Sequence, residues 1–315
     1  MKFLWCTIFW CGFHALAIAQ RSNSYFRFVD YYNPSDSTTN YGVVYRPNQP
    51  AKGMLVLLSG FGESPFLAER ETKIPEVAAT NGLLTVILTG NQGTQELTIA
   101  QNMQAYLDSI IPQLLIRYNI STDNYYLGGF SMGGAGIIKY VQYANLYNIK
   151  NKPNAVFAID PPLDFLRLYK VYNKWYNDTS ITENRNKTYY KLILDKLESY
   201  FKGNVIEDYQ NYVLMSPFCP EDKSNSGVQL FGKMPIQIFC EPDFTWAINE
   251  KHWDAYELNI IDNVGFINAL RKNGNKDAQL IITENKGYRK IFNIKDPHSW
   301  SIANANEVVK WLLKY

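Results

Sequence analysis

The stretch Asn124-Tyr125-Tyr126-Leu127-Gly128-Gly129-Phe130-Ser131-Met132-Gly133-Gly134-Ala135-Gly136 decides the fold. Its first half reads as a short buried strand, and its second half opens a helix rich in Ala, Ile and Val that is expected to run to about Asn148. Between them, Gly129-Phe130-Ser131-Met132-Gly133 matches G-x-S-x-G, a turn whose small residues let the backbone reverse sharply and lift the serine above the end of a sheet. A serine hydroxyl is a poor nucleophile until a base takes its proton, so an exposed Ser131 predicts a histidine and a carboxylate elsewhere in the chain. A glycine-rich strand-to-helix turn can also cradle a phosphate. Here there is no G-x-x-x-x-G-K-[ST], and no G-x-G-x-x-G with an acidic partner follows the strand.

Working outward, strands are predicted at 41–46 and in the apolar run 53–58, which ends in Ser59-Gly60-Phe61-Gly62. A helix over 64–80 and a strand over 83–88 follow. A second helix spans 96–118, with Ile99, Met103, Leu107, Ile110, Ile111 and Leu114 at helical spacing. Downstream of the elbow, strands are expected at 155–159, closed by Asp160-Pro161-Pro162, at 235–240 and at 278–283, with helices at 254–273 and 303–313. Strand and helix alternate, which predicts an α/β fold with a doubly wound, mostly parallel sheet. The alternation breaks over 163–233, a Tyr-, Asn- and Lys-rich interval with a helix near 188–201 that Gly203 would end. This interval reads as a helical cap or lid inserted over the carboxyl ends of the strands, with a plain surface excursion as the alternative.

The chain has three histidines. His14 falls in the leader described below, leaving His252 and His298. His298 lies in Asp296-Pro297-His298-Ser299-Trp300, a loop after the last strand, where open α/β sheets gather functional side chains; His252 sits beside an amphipathic helix, where solvation or capping is its expected fate. For the carboxylate that orients the imidazole, Asp243 follows the 235–240 strand in the right chain order, with Glu241 and Asp160 as alternatives. The oxyanion of a tetrahedral intermediate needs two N–H donors. The Met132 amide, at the start of the helix, and the Phe61 amide, between two glycines, are the candidates.

At 315 residues the chain can bury one large core. Its formal charge of +2 with no basic stripe argues against nucleic acid as a partner. Aromatic residues make up 15% of the sequence, including 23 Tyr and 7 Trp, which suits an aromatic-walled pocket as well as a bulky core. Residues 1–19 carry a lysine, a short apolar run and Ala17-Ile18-Ala19, the pattern of a signal peptide cleaved before Gln20. A secreted or periplasmic protein without stable membrane insertion is expected. Cys219 and Cys240 lie outside the leader and have no metal-ligand spacing; a disulfide and two free thiols are both open readings.

The ordered set Gly60-Phe61-Gly62, Gly129-Phe130-Ser131-Met132-Gly133, Asp243 and His298 resembles the α/β-hydrolase superfamily, and within it the secreted serine esterases. The resemblance covers nearly the whole chain after the leader. It departs at Ser59-Gly60, where many members carry His-Gly. The resemblance implies acyl transfer to water through an acyl-enzyme on Ser131, with no metal or organic cofactor. The expected substrate is a small-molecule or carbohydrate ester, with acylated sugars and feruloyl-type aryl esters suggested by the aromatic-rich insertion. A peptidase on the same fold and a catalytically inactive binding protein are the competing readings.

Overall fold

The computed structural model describes residues 20–21, 24–32, 39–179 and 184–315; the expected leader, 1–19, lies outside them. Two strands, β1 (Gln20–Arg21) and β2 (Tyr25–Tyr31), pair antiparallel with each other, and β2 pairs antiparallel with β3 (Tyr41–Pro47). The apolar run at 53–58 forms β4 (Gly53–Leu58), buried at every position, as is β5 (Leu83–Leu88). Strands buried on both faces read as continuous apolar runs because helices cover each side of a parallel sheet.

The helix predicted over 64–80 is two helices, α1 (Pro65–Glu71) and α2 (Ile74–Thr80). Pro75 cannot donate to the carbonyl of Glu71 and its ring would clash there, so the helix stops and restarts. α3 (Gln101–Arg117) begins later than expected, because residues 91–100 form turns in which the Thr98 hydroxyl donates to the Met132 carbonyl. The elbow lies between β6 (Tyr125–Phe130) and α4 (Met132–Leu146), and β7 (Val156–Ile159) follows.

The 163–233 interval holds four helices: α5 (Phe165–Asn177), α6 (Asn184–Phe201), α7 (Tyr209–Met215) and α8 (Ser226–Phe231). The sequence reading anticipated only α6. Then come β8 (Ile236–Cys240), the short α9 (Phe244–Trp246), α10 (Ile260–Lys272), β9 (Ala278–Ile282), a small hairpin of β10 (Tyr288–Arg289) and β11 (Ile294–Lys295), and the closing α11 (Ala305–Leu312).

The nine-stranded sheet has the order β1-β2-β3-β5-β4-β6-β7-β8-β9, and β5 through β9 run parallel. The expected α/β architecture is the observed one. Apolar side chains of α3, α4 and α5 fill one face with Val56, Leu127 and Ile238, while α1, α2 and α11 cover the other with Leu55, Leu57 and Phe157. Cys219 and Cys240 are both buried free thiols.

Candidate active site

The elbow is held by its neighbours in the sheet. The Ser131 N–H donates to the Ile159 carbonyl at 2.8 Å, tying the turn to the end of β7. Ser131 itself adopts φ 52°, ψ −123°, a region costly for a residue with a side chain, by about 1–3 kcal/mol. The flanking glycines are required by contact: a Cβ on Gly129 would lie 2.5 Å from the backbone of Gly133, and one on Gly133 would lie 2.4 Å from the carbonyl oxygens of Leu58 and Ser59.

His298 Nε2 stands 2.9 Å from Ser131 Oγ, and His298 Nδ1 stands 2.6 Å from Asp160 Oδ2. The carboxylate accepts, so Nδ1 carries the hydrogen and Nε2 is free to take the serine proton. His252 is exposed and terminates the turn at 247–251.

Asp243, the expected acid, is not the partner of His298. Its Oδ1 accepts the Trp246 N–H at 2.9 Å, capping α9, and its Oδ2 pairs with Lys295. It lines a separate outer groove with Lys295 and Glu284. The Lys295 pair, with help from the Trp246 amide, holds its carboxyl below the usual range. Glu241 is also committed elsewhere, accepting from the Lys286 and Gly287 amides, each at 2.9 Å, and from the Thr283 hydroxyl. The chain reaches His298 from the end of β7 instead, where Asp160 takes φ 44° and its N–H donates to Phe239 O at 2.8 Å.

Burial pulls the His298 imidazole down, but the hydrogen bond and charge of Asp160, backed by Asp296, outweigh it and set its pKa above the ordinary value. Asp296 accepts the His298 N–H at 3.0 Å, fixing the loop, and burial pushes its own carboxyl up.

Neither a protein-family model nor any curated protein matches this sequence. Solved structures do match. An S-formylglutathione hydrolase from Agrobacterium tumefaciens superposes with a TM-score of 0.57 at 13% identity, over 94% of this chain and 97% of that one. FphF, a fluorophosphonate-binding serine hydrolase of Staphylococcus aureus, gives 0.52 at 15% identity, over 92% and 99%. The acylaminoacyl peptidase of Pyrococcus horikoshii gives 0.56 at 13% identity, over 92% of this chain and 40% of that one. This chain has the α/β-hydrolase fold.

The loop after β4, Ser59-Gly60-Phe61-Gly62, faces the elbow: a Cβ on Gly60 would touch the Phe130 ring at 3.0 Å. The Gly60 N–H is taken by Glu63 Oε2 at 3.2 Å and the Gly62 N–H by the Thr94 carbonyl at 2.8 Å. Among the described residues the Phe61 N–H meets no acceptor. Met132 is the first residue of α4, where amides have no intrahelical partner. Both candidate donors thus line the cavity with Ser131 and His298.

That cavity measures about 420 Å³. Its far wall comes from the 163–233 interval and the loop after β8: Val171, Tyr172, Trp175, Tyr189, Trp246 and Trp253. Trp175 and Trp253 stack with centroids 4.8 Å apart and planes 15° apart, and Trp246 meets Trp253 edge-on at 6.3 Å. Arg167, on α5, anchors this wall through two hydrogen bonds to Asp262, at 2.6 and 2.8 Å, and others to Asn259 Oδ1 and Tyr256 O. Asn259 in turn donates to the Asp160 carbonyl at 3.0 Å, joining the wall to the backbone of the residue that meets the imidazole. Periodicity could not have found these links, since they join segments about 90 residues apart. The one available signal for Asp160 was its place at the end of a strand closed by two prolines.

Proposed function

We propose that this protein is an exported serine hydrolase that cleaves small carboxylic esters through an acyl-enzyme on Ser131. The observation that carries the reading is the relay from Ser131 Oγ through His298 to Asp160, with contacts of 2.9 and 2.6 Å. His298 Nε2 takes the hydroxyl proton as Oγ attacks the ester carbonyl, and Asp160 stabilises the imidazolium that forms. Negative charge on the former carbonyl oxygen faces the Phe61 and Met132 amides. The imidazolium then gives its proton to the leaving alkoxide, and a water activated by the same nitrogen releases the acid.

The strained backbone at Ser131 supports the reading, because such conformations persist where the surroundings over-determine them and cluster at active sites. The aromatic wall suits an aryl or sugar group on the ester, so feruloyl-type and acylated-carbohydrate esters are the first substrates to assay. A peptidase is the second reading, favoured by the likeness to an acylaminoacyl peptidase.

A fluorophosphonate probe tests the nucleophile: it should label the wild-type protein and not Ser131→Ala, and labelling that survives the substitution would sink the assignment. Turnover of p-nitrophenyl esters well above that of aminoacyl anilides is expected; the reverse would favour the peptidase. For export, expression of the full chain should yield protein outside the cytoplasm beginning at Gln20. An intact amino terminus in the cytoplasm would overturn that part.

A further inference from the structure

Glu63 is a buried carboxylate that the relay does not use. Its side chain is 6% exposed. One oxygen, Oε2, accepts two hydrogen bonds from different directions: the Gly60 N–H at 3.2 Å and the Trp300 indole N–H at 2.8 Å. The other, Oε1, faces the Arg289 guanidinium at 3.5 Å. Burying a carboxylate is costly unless donors surround it, and here the donors come from the two loops that must be in register for acyl transfer.

The first loop is 59–63. The Glu63 N–H donates back to the Gly60 carbonyl at 3.1 Å while its side chain receives the Gly60 N–H, so the loop closes on itself around the carboxylate. With Gly60 and Gly62 both committed, Phe61 is the amide of this loop without an acceptor among the described residues. The second loop carries the base. Trp300 lies two residues beyond His298, and its ring packs tilted against Phe130 with centroids 5.4 Å apart, while the Phe130 ring lies 4.7 Å from the imidazole. Arg289 closes the third side, with its guanidinium over the Phe130 ring at 5.8 Å.

We infer that Glu63 is a positioning residue that fixes the oxyanion loop and the His298 loop relative to each other, so that the Phe61 N–H and the imidazole address one carbonyl. The inference rests on the serine-hydrolase reading. An amide donor matters to catalysis through its aim at the developing oxyanion, and a misplacement near 1 Å can cost about 100-fold. The Glu63 carboxylate is spent on Gly60, Trp300 and Arg289 at the edge of the cavity, so its removal acts on the transition state and leaves ground-state binding largely intact.

The test is steady-state kinetics on wild type, Glu63→Ala, Glu63→Gln and Trp300→Phe, with rates expressed per active site from end-point fluorophosphonate titration. For Glu63→Ala we expect kcat per labelled site to fall about 10- to 100-fold with KM within about threefold. The inhibition constant of a trifluoromethyl ketone, which forms the tetrahedral adduct, should weaken by a similar factor. Glu63→Gln keeps an oxygen for the two N–H groups and should recover most of the rate. Trp300→Phe, which removes only the indole donor, should fall between them and serves as the decisive variant should the alanine protein not fold.

Wild-type turnover per labelled site in Glu63→Ala or Trp300→Phe, with only a lower labelled fraction or Tm, would overturn the inference and make the carboxylate a plain structural buttress. A wild-type protein that neither hydrolyses esters nor takes the label would instead remove the parent reading.

Discussion

Asp160 and Ser131 sit at the ends of neighbouring parallel strands, and each takes a positive φ, 44° and 52°, as its strand gives out. The Ser131 N–H reaches back to Ile159 O, so the two turns share a hydrogen bond. Their side chains meet the imidazole from either side. Asp160 therefore reaches His298 from the strand next to the elbow, one strand nearer than Asp243.

Asp160→Asn should lower kcat about 10³- to 10⁴-fold at pH 7, because the amide favours the wrong imidazole tautomer and cannot stabilise the imidazolium. Asp243→Asn should leave kcat within about twofold and cost at most about 1 kcal/mol, since the amide oxygen keeps the cap and only one partly exposed ion pair is lost. Esterase assays on both variants check this, and an inactive Asp243→Asn beside an active Asp160→Asn would reverse the assignment.

The rate should depend on pH through His298. Only the neutral imidazole can accept the serine proton, so kcat/KM should rise through a pKa above 6.5, the raised value set by Asp160. The stability contribution of the pair moves the other way: it is complete below the unfolded pKa and is lost as pH rises through the folded one. A pH–rate profile whose acid limb falls below pH 6 would contradict this.

Gly129→Ala and Gly133→Ala should each fail to keep the elbow, because the added Cβ would meet backbone atoms at 2.4–2.5 Å, and backbone cannot yield as a flexible side chain can. Loss of fluorophosphonate labelling together with an unfolding free energy in urea lowered by more than about 2 kcal/mol is expected. Gly62→Ala, with φ 77° and open space around its Cβ, should cost only the about 1–2 kcal/mol of a left-handed residue.

Arg167 and Asp262 form an ion pair whose side chains are 3% and 1% exposed. Removing one partner strands the other charge, so Arg167→Leu should destabilise by about 3–5 kcal/mol in urea unfolding. Its links through Asn259 to the Asp160 backbone predict a loss of kcat in whatever fraction remains folded.

Trp253→Ala opens the aromatic wall without touching the relay. The stacking lost is worth about 0.5–1.5 kcal/mol, so KM for aryl esters should rise about 2- to 12-fold relative to acetate esters. Equal effects on both would show that the wall does not read the substrate.

The strands from β3 to β9 and the elbow were legible in the sequence because each rests on local information. Continuous apolar runs demand burial on both faces, and Gly129 and Gly133 flank a serine that only a sharp reversal can expose. His298 followed by elimination among three histidines. β2 and three of the four helices between β7 and β8 escaped, since their patterns are short or mixed and packing decides them.

Three carboxylates at strand ends look alike in one dimension. Glu241, Asp243 and Asp160 are told apart only by which donors fold against them: loop amides for the first, Lys295 for the second, the imidazole for the third. The chain's own order thus determined the sheet, the elbow serine and the histidine beside it, which depend on neighbours in sequence and on scarcity. The carboxylate that meets the imidazole, the aromatic wall and the Glu63 bridge were decided by the tertiary structure, because a carboxylate's surroundings are set by the hydrogen-bond donors that remote segments bring to it.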